Sequence, residues 1–185
     1  MFLRPATPGD AEGIDAVRIR AWNETYRGVM PDAFLDAFSK ESRVEAWRTR
    51  LTTPQDRWTF YVALNDNSEV VGFAGAGPTR EAALTTDGEV YAINLVMQAT
   101  RKGLGTRLMG AMVDGLIGHG FKSVGLWVIE RNLGARWFYE RLGGVIAAKH
   151  EQDFGGKALV ELGYVWKSVN DLRREVQRLL DDHIG

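Results

Sequence analysis

A mixed α/β sheet with helices on both faces is the fold class this sequence predicts, and three observations predict it. Strand-like and helix-like stretches follow one another as strand, two helices, three strands, helix, strand, helix and two strands. No repeat, low-complexity tract or linker divides the 185 residues, which are enough for one well-buried domain. At the centre, the strand formers Glu89-Val90-Tyr91-Ala92-Ile93-Asn94-Leu95-Val96-Met97 lead through Thr100-Arg101-Lys102-Gly103-Leu104-Gly105-Thr106 into an apolar helical pattern that runs to about Ile117.

Each element has its own signal. Phe2-Leu3-Arg4 reads as a short first strand, stopped by Pro5. Thr7-Pro8-Gly9-Asp10 is a helix-start signature, with a Thr cap and an acidic residue three positions later. Ile14, Val17, Ala21 and Trp22 continue at helical spacing to about Tyr26, and Gly28 and Pro31 place residues 26–31 in a connection. A second helical region sets Phe34, Leu35 and Phe38, then Val44, Trp47 and Leu51, on apolar faces. Residues 58–64 and 70–76 are rich in strand formers and flank the turn residues Asn65-Asp66-Asn67-Ser68, a hairpin. Residues 79–88 read as a polar, flexible link. Alternation along the central strand predicts Glu89, Tyr91, Ile93 and Leu95 on one face and Val90, Ala92, Asn94 and Val96 on the other.

Residues 123–129 predict a strand and 132–142 a helix, capped by Asn132, with Leu133, Trp137, Phe138 and Leu142 as its apolar face. Residues 145–149 and 158–166 predict two last strands around the polar loop 152–156. In residues 168–183, Val169, Leu172, Val176 and Leu179 recur at three- and four-residue steps, which predicts an amphipathic helix. That helix either packs on its own domain or joins two chains in a homodimer. The organisation expected is a domain over residues 1–167 with a helical extension over 168–185.

Composition removes several function classes. A net charge of −1 gives no push toward nucleic acid or an anionic membrane. The absence of cysteine excludes disulfides, a thiol nucleophile and Cys-ligated metal. His119, His150 and His183 lack ligand spacing, so no metal is expected. The start lacks the apolar core of a secretory signal and no apolar run approaches a membrane span, so the expected location is the cytoplasm.

The order strand, glycine loop, helix builds an anion site, because the first helical turn has N–H groups without partners and the peptide dipoles place positive charge there. Gly103 and Gly105 let a phosphate approach with no Cβ in the way. A P-loop needs four residues between its glycines and this loop has one; a dinucleotide fingerprint needs a third glycine where Leu108 stands. The loop resembles the pyrophosphate signature of the GNAT-type N-acetyltransferase superfamily, with Thr100 in the slot usually filled by Arg or Gln. Asn132-x-x-Ala135-x-x-x-Tyr139 followed by Leu142-Gly143 resembles that superfamily's second motif, with Gly144 where an aromatic is usual.

This resemblance implies a mostly antiparallel sheet whose central strands splay apart to admit a thioester. It implies acetyl-CoA as cosubstrate, with the pyrophosphate on Thr106 and the N–H groups from Lys102 through Gly103, Leu104 and Gly105 to Arg107. Arg101, Lys102 or Arg107 would meet the 3′-phosphate. Asn132 would touch the pantetheine arm, Ala135 would leave it room, and Tyr139 would sit near the sulfur. Backbone N–H groups of Leu95, Val96 and Met97 are the expected oxyanion donors, on the argument that a splayed strand leaves them unpaired. Glu89 is the expected base, through water, and Tyr139 the acid, with Tyr26, Glu89 and Tyr91 facing the acceptor. The activity implied is acetyl transfer to a primary amine of a small molecule. The alternatives are a protein N-terminus or lysine as acceptor, and a non-catalytic acyl-CoA sensor.

Overall fold

The computed structural model describes residues 1–53 and 56–182. Seven strands form one sheet: β1 (Phe2–Pro5), β2 (Thr59–Leu64), β3 (Val70–Pro78), β4 (Gly88–Leu95), β5 (Val124–Ile129), β6 (Val145–Asp153) and β7 (Ala158–Trp166), in the order β1-β2-β3-β4-β5-β7-β6. All neighbours are antiparallel except β4 and β5. These two run parallel and pair only at Gly88 with Val124 and Glu89 with Gly125. Beyond that point β4 continues to Leu95 and β5 to Ile129 without pairing to each other, so the sheet opens as a V.

The helices are α1 (Ala11–Tyr26), α2 (Asp32–Lys40), α3 (Val44–Thr52), α4 (Leu104–Gly118), α5 (Leu133–Arg141) and α6 (Val169–Asp181). α4 covers β2, β3 and β4, burying Leu104, Leu108, Met109, Met112, Val113 and Leu116, while α1 crosses β3 and β4 on the other face. No helix among the described residues is long and apolar enough to cross a membrane.

The first turn forms as its sequence dictates. The Asp10 carboxylate accepts from the Thr7 backbone N–H at 2.7 Å and the Thr7 hydroxyl at 2.8 Å, and from two Arg4 nitrogens at 2.7 Å each. The Arg4 guanidinium is the main reason the Asp10 carboxyl is held down to about 2, burial acting in the opposite direction.

Four expectations need correction. The second helical region is two helices, because a buried pair pins the break: Arg18 bonds Asp15 at 2.7 Å and the Glu41 carbonyl at 2.7 Å, and Asp15 accepts from the Arg43 N–H at 3.0 Å. The link 79–88 is not loose. Ala82–Leu84 forms a short 3-10 turn, and fully buried Leu84 packs against Gly125 and Gly163, where a Cβ would meet it at 3.1 and 2.9 Å.

The third correction concerns β4. Gly75 pairs with Ala92 and Ala76 with Val90, so Tyr91 is an extra residue, a bulge. The bulge reverses the alternation. Tyr91 lines the α3 side together with Ala92, whereas Leu95 lies toward Gly105 of α4. Glu89 and Tyr91 therefore do not share a face with Ile93 and Leu95. Fourth, Leu133 and Trp137 on α5 are 69% and 59% exposed, with the Arg141 guanidinium 4.8 Å over the Trp137 ring. Phe138 and Leu142 of the expected face do turn inward, and Tyr139 joins them in place of Leu133 and Trp137.

The last helix lies on α4. Leu172 and Val176 are fully buried, and Gly110 lets Val176 come within 3.2 Å of where a Cβ would stand. The apolar face offered as a dimer surface is thus covered by the chain itself. His183 lies outside the described residues.

Candidate active site

The open end of the V is bounded on one side by the start of α4. Gly103, with φ +74°, takes the left-handed cap position that glycine adopts without strain, and its carbonyl accepts from Arg107 N–H at 3.0 Å. The N–H groups of Leu104, Gly105 and Thr106 are then in the first turn, where helix geometry gives them no acceptor. A Cβ on Gly105 would meet only Leu95 at 3.7 Å and Phe138 at 3.9 Å, so the turn faces α5 across the gap. Arg101 and Lys102 are exposed and have no ion-pair partner among the described residues; Arg107 reaches the Met1 carbonyl at 3.3 Å. These features fit a pyrophosphate and its neighbouring phosphate.

The other side is the head of α5. Asn132 accepts from the Ala135 N–H at 3.1 Å and donates to the Tyr26 hydroxyl at 3.2 Å, so α1 and α5 meet across the V. A carboxamide has two N–H donors, and the second remains for a ligand. Burial pushes the Tyr26 phenol up, the Asn132 bond opposes this, and the Glu161 charge adds to it. Ala135 is half-buried beside the core. Tyr139 is buried among Phe138, Tyr164 and Trp166, with ring centroids 5.5, 5.9 and 6.3 Å away. Among the described residues its hydroxyl has no hydrogen-bond partner. Burial first, and Tyr26 second, push its phenol well above the ordinary value.

Two of the three expected oxyanion donors are engaged. Val96 N–H donates to the Val71 carbonyl at 3.0 Å and Met97 N–H to the Glu24 carboxylate at 2.6 Å. Strand geometry then turns the Leu95 N–H the other way, toward the gap. The premise that splaying frees all three fails because the Val71 carbonyl at the edge of β3 still takes Val96 and the Glu24 carboxylate of α1 takes Met97.

Glu89 and Tyr91 are also held. Glu89 is 1% exposed, and its oxygens accept from Arg80 N–H at 2.8 Å, Nε at 3.3 Å and Nη2 at 2.5 Å. The Tyr91 hydroxyl donates to the Pro78 carbonyl at 2.5 Å, and its ring lies against Trp58 and under Arg80 at the edge of a cavity of about 90 Å³. Burial, then the Glu89 charge, push its phenol up to about 12. The structure thus brings Tyr26 and Asn132 together and couples Tyr139 to Tyr26, while Glu89 and Tyr91 belong to an Arg80-centred cluster. Sequence reasoning missed Arg80, which stands in the segment read as a flexible link, and no pattern marks it. Among the described residues no group of three or more His, Asp or Glu side chains is placed to hold a metal.

The open end of a splayed seven-stranded sheet thus meets a glycine-led helix start, the arrangement expected of an acyl-CoA cleft. The model of the acetyltransferase (GNAT) family matches residues 19–144, and the chain belongs to that family. It is 30% identical over 176 residues, 95% of this chain and 98% of the relative, to the uncharacterized N-acetyltransferase YuaI of Bacillus subtilis (strain 168). Its fold is similar to that of a GNAT superfamily phosphinothricin acetyltransferase from Sinorhizobium meliloti in complex with AcCoA. That match has TM-score 0.69 and 20% identity, over 90% of this chain and 88% of that one. It is also similar to the paia N-acetyltransferase from Thermoplasma acidophilum in complex with coenzyme A, with TM-score 0.65 and 21% identity, over 86% of this chain and 96% of that one.

Proposed function

We propose that this enzyme transfers the acetyl group of acetyl-CoA to a primary amine of a small molecule by direct attack on the thioester. The observation that carries the reading is Tyr139: a buried phenol whose hydroxyl has no hydrogen-bond partner among the described residues, on the helix that faces the α4 loop across the gap. Acetyl-CoA supplies the activated acetyl group when bound. The first-turn N–H groups of α4 hold its pyrophosphate, Arg101 and Lys102 balance the 3′-phosphate, and the Leu95 N–H turns to the carbonyl oxygen. Tyr139 donates a hydrogen bond to the leaving sulfur. Since burial disfavours a phenolate there, Tyr139 keeps its own proton and stabilises the developing thiolate rather than fully protonating it.

The small-molecule acceptor is supported by the loop at residues 153–157. Phe154 packs edge-on to Phe34 at 5.6 Å, and Lys157 Nζ donates to the Val29 carbonyl at 2.7 Å, so the loop folds inward on α2 and its connection. An extended peptide needs that side open.

The test is CoA release from acetyl-CoA with a panel of amines, amino acids, polyamines, aminoglycosides and peptides. Release with one or more small amines, and not with peptides, is expected. Release with peptides alone would move the acceptor to a protein, and no release with any acceptor would favour a sensor.

A further inference from the structure

An amine acceptor reaches the enzyme mostly as ammonium at neutral pH, so a group at the acceptor side must take its proton. Glu89 is poorly suited to this, because three Arg80 donors occupy both of its oxygens in a site closed to solvent.

The other arm of the V offers a different pair. Register aligns Ile129 on β5, Glu161 on β7 and His150 on β6 in one row across the sheet, and strand alternation puts all three on the same face. That face is the acceptor side, since Ile129 packs with Met30 and Leu35, with Tyr26 against the same cluster. His150 Nε2 lies 3.1 Å from Glu161 Oε2, and the side chains are 38% and 21% exposed, neither sealed nor fully solvated. Glu161 lies near enough to Tyr26 for its charge to raise that phenol, and Tyr26 in turn bonds Asn132 at the head of α5.

Trp127 adds an independent sign of a ligand. It lies in the adjoining row, paired with Gly163, and its ring is 4.3 Å from that of His150. Its indole N–H is buried and has no acceptor among the described residues. A buried donor left unpaired is costly, so a water or an acceptor-molecule oxygen belongs there. Lys149 and Glu151 flank His150 but point to the opposite face of β6.

We propose that Glu161 and His150 form the seat that receives the acceptor's amine and takes its proton, in place of Glu89; this rests on the acetyl-transfer reading above. The nitrogen of a primary ammonium loses two protons in the reaction. One passes to the Glu161–His150 pair and on to solvent, freeing the lone pair. That lone pair bonds the thioester carbonyl carbon, and the C–S bond breaks with its electrons going to sulfur. The second proton leaves nitrogen as the amide forms and passes to the thiolate that Tyr139 has held by its hydrogen bond, so the sulfur finishes as a thiol and Tyr139 keeps its own proton.

CoA release by wild type, Glu161→Gln, His150→Gln and Glu89→Gln tests this, with butylamine, spermidine and glycinamide as protonated probes. Hydroxylamine serves as a nucleophile already largely neutral at pH 7. Glu161→Gln should lower kcat/KM for the protonated probes by about 10²-fold or more, the range of a positioned base. It should lower the hydroxylamine rate by less than about fivefold and leave CoA affinity unchanged; loss of an ordinary structural contact would affect both nucleophiles alike. His150→Gln should reproduce the pattern more weakly, and carries the same test if Glu161→Gln fails to fold. Wild-type turnover in both variants, or equal losses with both nucleophile types, overturns the seat. Absence of CoA release from wild type with every amine overturns the acetyl-transfer reading itself, and the seat with it.

Discussion

The two arms of the V each carry a glutamate, and the two sit in opposite circumstances. Glu89, on the β4 arm, is 1% exposed and clamped by three Arg80 donors. Glu161, on the arm formed by β5, β7 and β6, is 21% exposed, and its carboxylate bonds the His150 ring at 3.1 Å and no other side chain among the described residues. A carboxylate whose lone pairs are filled by a guanidinium holds structure together; one with open lone pairs beside a titratable ring can exchange a proton. The difference teaches that the residue type at a strand start is a poor guide to its role until its donors are known.

The comparison breaks most visibly if the two glutamines behave alike. Glu161→Gln is expected to cost about 10²-fold or more in kcat/KM with protonated amines. Glu89→Gln is expected to lower the melting temperature and cost less than about tenfold in kcat, because Arg80 loses its anchor while the proton path is intact. Thermal unfolding beside steady-state kinetics on both variants checks this. A larger catalytic loss in Glu89→Gln, at unchanged stability, would reverse the assignment.

The two tyrosines sharpen the same contrast. The Tyr26 hydroxyl is engaged by Asn132, whereas the Tyr139 hydroxyl has no hydrogen-bond partner among the described residues. Tyr139→Phe should therefore lower kcat about 10–100-fold across the pH range, with CoA affinity within about twofold of wild type. Single-turnover rates and calorimetry separate the two effects.

A third carboxylate serves as a control for what an arginine clamp does. Asp10, 7% exposed, is held down to about 2 chiefly by Arg4. Its folded value lies below the unfolded value near 3.8, so its contribution to stability is full above pH ~4 and is lost as pH falls toward 2. Asp10→Asn should remove the part of the acid-induced loss that falls in this window, a small effect because Arg4 is 36% exposed. Denaturant unfolding at pH 2–5 checks it.

Much of the fold was legible because its signals are local. The Thr7–Asp10 turn, the 65–68 hairpin turn and the Asn132 cap each depend on residues within a few positions, and each forms as read. The α6 helix was legible too, but what its apolar face meets was not, since that is decided by Gly110 on a distant helix. The Tyr91 bulge left no mark in the alternation, and it moved Glu89 and Tyr91 to the other face. Leu84 looked like one apolar residue in a polar link, although two glycines on other strands leave room for it. At the site, the ends proposed to hold cofactor were carried by contiguous motifs. The acceptor side is assembled from Tyr26, Trp127, His150 and Glu161 on four elements, and no single window contains it.

The claim on which everything else rests is that acetyl-CoA binds in this cleft with its pyrophosphate on the first turn of α4. Titration calorimetry of CoA and acetyl-CoA into wild type and Gly105→Asp tests it directly. A Cβ at Gly105 meets nothing closer than 3.7 Å, so the variant should fold, while its carboxylate should stand against the pyrophosphate. One-to-one binding by wild type, weakened at least about tenfold in Gly105→Asp, is the predicted result, since ~1.4 kcal/mol corresponds to a tenfold change. Absence of CoA affinity in the wild type, or equal affinity in the variant, would contradict it.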